Sequence, residues 1–194
     1  MAIADEKYPR IAGVNYESMV DGEGVRAVIF LSGCSHNCPG CQNWKAQNPE
    51  FGAVCTDDLI QEIADEIKAR PFLSGITLSG GDPFYNAEKT YNFFYHLCSV
   101  LGEDDKFVFP DLWIYTGFYW ETLKEMMLKN HFVTWLLHYA SHIVDGRFIH
   151  AEADKRIAFR GSKNQSILEH MYPNAGTQFP IYKDVTTEYD TGIK

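Results

Sequence analysis

Three cysteines, Cys34, Cys38 and Cys41, lie in one short segment, GCSHNCPGC, that begins at Gly33. Thiolates are soft donors that bind zinc and iron–sulfur clusters, and neighbouring thiols also form redox pairs. The glycine and proline residues of the segment are typical of a tight loop that wraps around a bound group. The spacing therefore indicates metal or redox chemistry at this loop.

Three interpretations of the loop differ in the ligands they need. A structural zinc ion takes four ligands, usually from a second paired motif, but the remaining cysteines, Cys55 and Cys98, stand alone. A four-iron cluster takes one protein ligand per iron, so three cysteines leave one iron open to substrate. We therefore favour an open cluster over zinc and over a redox thiol pair. His36 is a candidate fourth ligand, although its place within the loop favours a side chain that faces solvent or caps a turn.

The elements that position this loop alternate between strand and helix. Apolar, mostly β-branched and aromatic residues over 25–31 predict a buried strand that leads directly to the cysteines. Thr56 and the acidic residues after it predict the start of a helix that stops before Pro71. Further strands are predicted over 75–79, 112–115 and 142–144, and further helices over 90–101, 120–129 and 132–140. This alternation predicts an α/β fold with parallel strands and right-handed crossovers.

The carboxyl ends of parallel strands meet at one edge of a sheet, where such folds bind ligands. Residues that would converge there with the cysteines are Gly80, Gly81, Asp82, Tyr115, Thr116, Gly117 and Asp145. Each also has a plain structural interpretation, because Gly-Gly-Asp, Thr-Gly and Asp-Gly are common turns and a tyrosine at a strand end usually packs. A chain of 194 residues closes only part of a barrel, so we expect an open one. We expect one domain over residues 1–170 and a tail or surface extension over residues 171–194.

The composition limits the class of partner. A formal net charge of −9 argues against nucleic acid, because binding to phosphates requires clustered lysine and arginine. The apolar runs are much shorter than the roughly 20 residues that span a bilayer, so we expect no membrane partner. Five clustered cysteines and an opening segment without a secretory pattern argue against a disulfide framework. The expected compartment is the reducing cytoplasm.

The spacing Cys-x3-Cys-x2-Cys after a first strand resembles the signature of the radical S-adenosylmethionine (SAM) superfamily. Gly40, where many members carry an aromatic residue, and Asn43 resemble one branch, the activating proteins of anaerobic ribonucleoside-triphosphate reductase. Five more segments resemble that branch: VDGEGVR from Val20, LSGGDP from Leu78, WIYTG from Trp113, VDGRF from Val144 and RGSKNQ from Arg160. The resemblance covers about residues 8–168.

The resemblance implies an open partial (β/α) barrel of the radical SAM type, with a [4Fe-4S] cluster on Cys34, Cys38 and Cys41. It implies that the reduced cluster splits SAM into methionine and a 5′-deoxyadenosyl radical, which takes a hydrogen atom from a glycine of the reductase. The implied SAM contacts are Gly40, Gln42, Gly80, Gly81, Asp82, Tyr115 and Thr116. Candidate contacts of the partner or the cofactor are Asp145, Arg160 and Asn164.

Bare glycines at Gly80 and Gly81 would let SAM approach the backbone, and Asp82 or exposed carbonyl groups would accept hydrogen bonds from its ammonium group. The resemblance also implies a flavodoxin-like or ferredoxin-like electron donor. Two alternatives stay open. An activating enzyme of another glycyl radical enzyme, such as pyruvate formate-lyase, has the same cysteine loop, and a zinc-binding interaction module belongs to a different class.

Overall fold

The computed structural model describes residues 7–102, 111–171 and 179–192, and within them one mixed sheet of seven strands follows the order of the chain. The strands β2 to β5 run parallel, whereas β1, β6 and β7 pair antiparallel with their neighbours. The strands are β1 Ile11–Ser18, β2 Arg26–Leu31, β3 Gly75–Gly80, β4 Asp111–Tyr115, β5 His142–Asp145, β6 Ser166–Met171 and β7 Ile181–Asp184.

The α-helices of the described residues are α1 Asp57–Lys68, α2 Ala87–Gly102, α3 Trp120–Met127, α4 His131–Tyr139 and α5 Thr186–Thr191. Helices α1 to α4 lie in the crossovers between parallel strands and pack side by side, α1 on α2, α2 on α4 and α4 on α3. Sequential right-handed crossovers place their helices on one face of the sheet. Alternate strand residues such as Ile29, Leu78 and Ile114 share one buried core with these helices. No helix in the described part of the chain has both the length and the apolar character to cross a membrane.

Helix α1 shows how the sequence sets its own boundaries. Thr56 is the N-cap, and its hydroxyl accepts a hydrogen bond of 3.2 Å from the amide of Leu59. The apolar residues at helical spacing, Ile60, Ile63 and Ile67, are buried, and full burial of each such side chain contributes about 1.5–3 kcal/mol. The start and the core face of this helix are therefore confirmed.

The opposite face of the sheet carries a second, smaller core around Trp113 and Val144. Arg26, which is fully buried on β2, donates to Thr77 Oγ1 and to the Ile76 carbonyl of β3 at 2.8 Å each. It also donates to the Asp111 carbonyl of β4 at 2.7 Å. One side chain thus ties together the amino-terminal ends of three neighbouring strands, at the end of the sheet opposite the cysteines.

The predicted α/β fold and its four parallel strands are confirmed, and the sheet is open. The partial curvature of a radical SAM barrel stays a prediction. Three antiparallel strands, β1, β6 and β7, were not predicted, because their partly exposed residues give a weak apolar signal. The described part of the predicted tail contains β7, which pairs with β6, and α5, so it extends the sheet. The division at residue 170 stays a prediction.

Candidate metal centre

The cysteine loop leaves β2 at the edge where β3 and β4 also end. The amide of Gly33 donates to the carbonyl of Ala46 at 2.8 Å, and that of Cys34 donates to Gln47 at 3.1 Å. These bonds tie the start of the loop to the short 3-10 helix Trp44–Gln47 that follows it. The loop is therefore anchored at both of its ends.

Within the loop, tight turns bring the cysteines onto one short segment. The amide of Cys41 donates to the carbonyl of Cys38 at 3.1 Å, which closes a turn between the second and third cysteines. Asn37 and Gly40 adopt positive φ angles of 49° and 74°. A side-chain carbon on Gly40 would also lie 2.8 Å from Nδ1 of His150, so glycine is required here for conformation and for space.

The three thiols are free and partly buried, whereas Cys55 and Cys98 are buried in the core, as predicted for small apolar residues. Burial raises the pKa of the Cys34 thiol to about 11. Reactive redox thiols have a lowered pKa, so the Cys34 environment does not favour the redox pair.

The donor set fits a cluster. No three Cys, His, Asp or Glu side chains among residues 7–102, 111–171 and 179–192 converge closely enough to hold a single metal ion. A four-iron cluster takes each thiolate on a different iron, so it suits three donors spread along a loop.

Asp82, which follows β3, makes hydrogen bonds to the segments that follow β2 and β4. Its side chain is 1% exposed, and its oxygens accept hydrogen bonds from the amides of Phe84 and Gly117, both at 2.8 Å, and from the Thr116 hydroxyl at 2.9 Å. Its amide donates to the carbonyl of Gly33 at 2.8 Å. Both carboxylate oxygens are therefore engaged by protein donors, which favours carbonyl groups over this side chain as acceptors for a SAM ammonium group. The predicted contact of Asp82 with SAM stays a prediction.

His36 also binds Asp82, and the interpretation of His36 as a solvent-facing side chain is wrong. Its side chain is 7% exposed, and Nε2 lies 2.8 Å from Oδ2 of Asp82. The imidazole packs edge-on against Phe118, with ring centroids 4.5 Å apart. Nδ1 of His36 accepts a long hydrogen bond of 3.4 Å from Nε of Arg147. The buried carboxylate and the aromatic ring hold this side chain away from solvent.

The glycines of the second strand end serve chain packing. A side-chain carbon on Gly81 would lie 2.3 Å from the carbonyl oxygen of Gly33 and 2.7 Å from that of Ala46. Such contacts are shorter than any real carbon contact, so only glycine lets β3 approach the cysteine loop. Gly80 has a positive φ of 104°, and a side-chain carbon on it would lie 2.5 Å from the backbone nitrogen and oxygen of Leu31. The contact of both glycines with SAM stays a prediction.

Tyr115, the last residue of β4, and Thr116, which follows it, make hydrogen bonds to different parts of the chain. The hydroxyl of Tyr115 donates to the carbonyl of Phe159 at 2.7 Å, and burial raises the pKa of this phenol far above its usual value. Thr116 is buried, and its hydroxyl donates to Asp82. Both side chains therefore have structural partners, and their contact with SAM stays a prediction.

The candidate partner contacts lie at the end of β5 and in the segment between β5 and β6. Asp145 is buried, and its carboxylate accepts from the amides of Trp120 at 2.8 Å and Ser166 at 3.2 Å. Burial raises the pKa of Asp145. Arg160 is also buried and pairs with Asp190 of α5. Both residues hold the chain together at this edge, and their partner contact stays a prediction.

Asn164 and Gln42 are more accessible. The amide nitrogen of Asn164 donates to the carbonyl of Arg147 at 2.8 Å, so Asn164 supports the residue that contacts His36. Gln42 is exposed and lines an open cavity of about 340 Å³ beside the cysteine loop, with Phe30 and Trp44 among its other walls. A ligand contact of Gln42 and Asn164 stays a prediction.

The residues that sequence reasoning missed at this edge are Arg147 and Gln165, whereas Gly117 was expected at this edge and lies here. Gly117 donates to Asp82, and Gln165 Oε1 accepts from the amide of Gly161 at 2.8 Å, which orders the loop after Arg160. All three lie within segments that carry the family resemblance, and that position is the signal that pointed to them.

An open α/β sheet with three free cysteines at its carboxyl edge defines a class of iron–sulfur protein, and comparison with known proteins bears this out. The chain belongs to the family described as 4Fe-4S single cluster domain, whose sequence pattern matches residues 20–168.

Named relatives narrow the class. The chain is 33% identical over 152 residues to the anaerobic ribonucleoside-triphosphate reductase-activating protein of Haemophilus influenzae, which covers 77% of this chain and 90% of the relative. The protein of the same name from Enterobacteria phage T4 is 33% identical over 151 residues, 76% of this chain and 86% of the relative. The protein of the same name from Escherichia coli (strain K12) is 29% identical over 157 residues, which are 79% of this chain and 93% of the relative. The resemblance to this branch is confirmed.

Proposed function

We propose that this chain is a radical SAM activating enzyme that installs a glycyl radical on anaerobic ribonucleoside-triphosphate reductase. The observation that carries the proposal is a cysteine loop with three free thiols whose own histidine, His36, is bound to Asp82. A donor set of three thiolates leaves one iron of a four-iron cluster for substrate.

The chain's own residues would bind the cluster, orient SAM and shield both from water. Cys34, Cys38 and Cys41 would hold the cluster, and the backbone at Gly80 and Gly81 would receive the amino acid end of SAM. When bound, the reduced cluster supplies the single electron that cleaves SAM and so begins the hydrogen abstraction that leaves a glycyl radical on the reductase. The protein supplies position and a pocket from which water is excluded. Thr116 and Asp82 would fix the floor of this pocket through their mutual hydrogen bond of 2.9 Å.

The partner follows from the relatives, whose shared name specifies the anaerobic ribonucleoside-triphosphate reductase. No observation favours pyruvate formate-lyase as the partner. A flavodoxin-like or ferredoxin-like protein would deliver the electron. Free thiols persist in a reducing compartment, so we place the protein in the cytoplasm.

Anaerobic purification followed by spin detection tests this function. The protein should be brown, with about four irons and four sulfides per chain. It should cleave SAM when dithionite supplies electrons, and electron paramagnetic resonance should then show a glycyl doublet on the co-incubated reductase. A colourless protein with one zinc ion per chain would contradict the proposal, and so would a reduced cluster that leaves SAM intact.

Cysteine variants provide the matched comparison. Replacing Cys34, Cys38 or Cys41 by alanine should abolish SAM cleavage, because each change removes one iron ligand. The control is Cys98→Ala, which shortens a cysteine that is 6% exposed in the core and should retain SAM cleavage despite some loss of stability. Essential Cys98 with a dispensable loop cysteine would refute the ligand assignment.

A further inference from the structure

The contact between His36 and Asp82 joins residues 46 positions apart, one in the cysteine loop and one beyond the end of β3. We propose that this pair is a clasp that holds the cysteine loop in its cluster-binding shape, so that His36 is a positioning residue and not an iron ligand. The inference rests on the proposed function in so far as the loop holds a cluster.

The hydrogen positions of the imidazole follow from its neighbours. The guanidinium of Arg147 can only donate, so Nδ1 of His36 accepts its hydrogen bond of 3.4 Å. Nε2 must then carry the hydrogen that is donated to Asp82 at 2.8 Å. Both ring nitrogens are therefore engaged, and neither offers a lone pair to iron.

The carboxylate of Asp82 makes this contact firm. It accepts from Gly117 and Thr116 as well as from His36, and it is almost completely buried. A buried carboxylate bonds strongly to fixed donors, because water is not there to replace them. Asp82 is thus fixed by the residues that follow β4 as well as by His36.

Two further residues pack directly against the imidazole ring of the clasp. A side-chain carbon on Gly117 would lie 2.3 Å from Cδ2 of His36, so the imidazole occupies the space that any other residue at position 117 would fill. Phe118 packs edge-on against the ring, with the centroids 4.5 Å apart. The amide of His36 in turn lies 3.5 Å from Sγ of Cys34, which carries the position of the clasp to the first cysteine.

Two variants of His36 separate the hydrogen bond from the shape of the ring. His36→Gln keeps a donor that can reach Asp82, whereas His36→Phe keeps a ring against Phe118 and removes the donor. The matched control is His96→Phe, which breaks another histidine–carboxylate pair, 3.3 Å from Asp57 on α1. Gly117→Ala is the independent variant. Its added carbon should displace the imidazole, although His36 and Asp82 themselves are not substituted.

The first measurement is amide hydrogen exchange of residues 34–41 in the cluster-free chain. His36→Phe and Gly117→Ala should raise exchange in the loop by about tenfold or more, the range for loss of a hydrogen bond to a charged group. His36→Gln should restore protection, and His96→Phe should leave the loop unchanged. This readout needs no cluster, SAM or reductase, so it tests the clasp even if the proposed function is wrong.

The second measurement is cluster retention after anaerobic reconstitution. Challenge with an iron chelator should show about 10- to 100-fold weaker retention in His36→Phe, as for loss of other outer-shell partners of metal ligands. Unchanged loop exchange in both His36→Phe and Gly117→Ala would overturn the clasp. It would also be overturned by nitrogen hyperfine coupling from labelled histidine in the reduced cluster that disappears in His36→Phe, which would place His36 on iron. A wild-type chain that retains its cluster but does not cleave SAM would refute the proposed function alone.

Discussion

Replacing Arg26 by methionine should lower the free energy of unfolding by about 3–6 kcal/mol, because buried acceptors lose hydrogen bonds to a charged donor. The side chain is fully buried on β2, and its acceptors include oxygen atoms at the starts of β3 and β4. Methionine fills similar space but donates no hydrogen bond. Asp111, whose side chain is 37% exposed, can be hydrated after the change and adds little to the loss.

The magnitude follows from the acceptors that stay buried. Thr77 Oγ1 and the carbonyl of Ile76 each lose a bond of 2.8 Å to a charged donor. Hydrogen bonds to charged groups contribute about 1.5–3 kcal/mol each, which gives about 3–6 kcal/mol for the two. This range is a large part of the 5–15 kcal/mol that is typical of a folded domain.

Urea unfolding of the cluster-free chain, followed by circular dichroism, measures this loss by linear extrapolation. The matched control is Arg156→Met, which removes an arginine that is 86% exposed and pairs with Asp154 at 2.8 Å. The control should change stability by less than about 1 kcal/mol, because exposed ion pairs contribute little. A loss below about 1 kcal/mol for Arg26→Met, or one equal to that of the control, would refute the reasoning.

Two further variants test the strand edge and the pH response. Gly81→Ala should destabilise the chain by about 1–3 kcal/mol in urea unfolding, because the added carbon meets the carbonyl of Gly33. The control is Gly13→Ala, whose added carbon enters open space and should not destabilise the chain. Equal effects of the two variants would contradict this packing. Burial lowers the pKa of His170, so the unfolded chain binds this proton more readily, and stability should fall as pH decreases below about 6.5. His170→Phe, which keeps a ring against Tyr182, should weaken that fall between urea midpoints at pH 7.5 and 5.5; an unchanged slope would assign the pH response to other groups.

Local signals in the sequence predict the elements that carry the site. Thr56 and the acids after it mark the start of α1, and the apolar run from residue 25 marks β2. The position of the cysteine loop at the carboxyl end of β2 follows from that run. These features were predictable because their causes, capping and burial, act within a few residues.

The partners of the site residues were not predictable, because they lie far away in the chain. His36 and Asp82 are separated by 46 positions, and Asp145 bonds to an amide 25 positions before it. Spacing alone assigns neither pair, so His36 was wrongly expected to face solvent. Asp82 had a local signal, since an Asp two residues before Phe84 forms an Asx turn, but this signal does not predict its bonds to Thr116 and Gly117 after β4.

The order of strands has a consequence for synthesis on the ribosome. Each strand of the described sheet lies beside the strand that precedes it in the chain. The groups that bond Asp82 all lie between Gly33 and Gly117. Domains emerge and fold from the amino terminus, so these contacts of Asp82 can form before β5 to β7 have been translated, whereas the contact of Arg147 with His36 can form only afterwards.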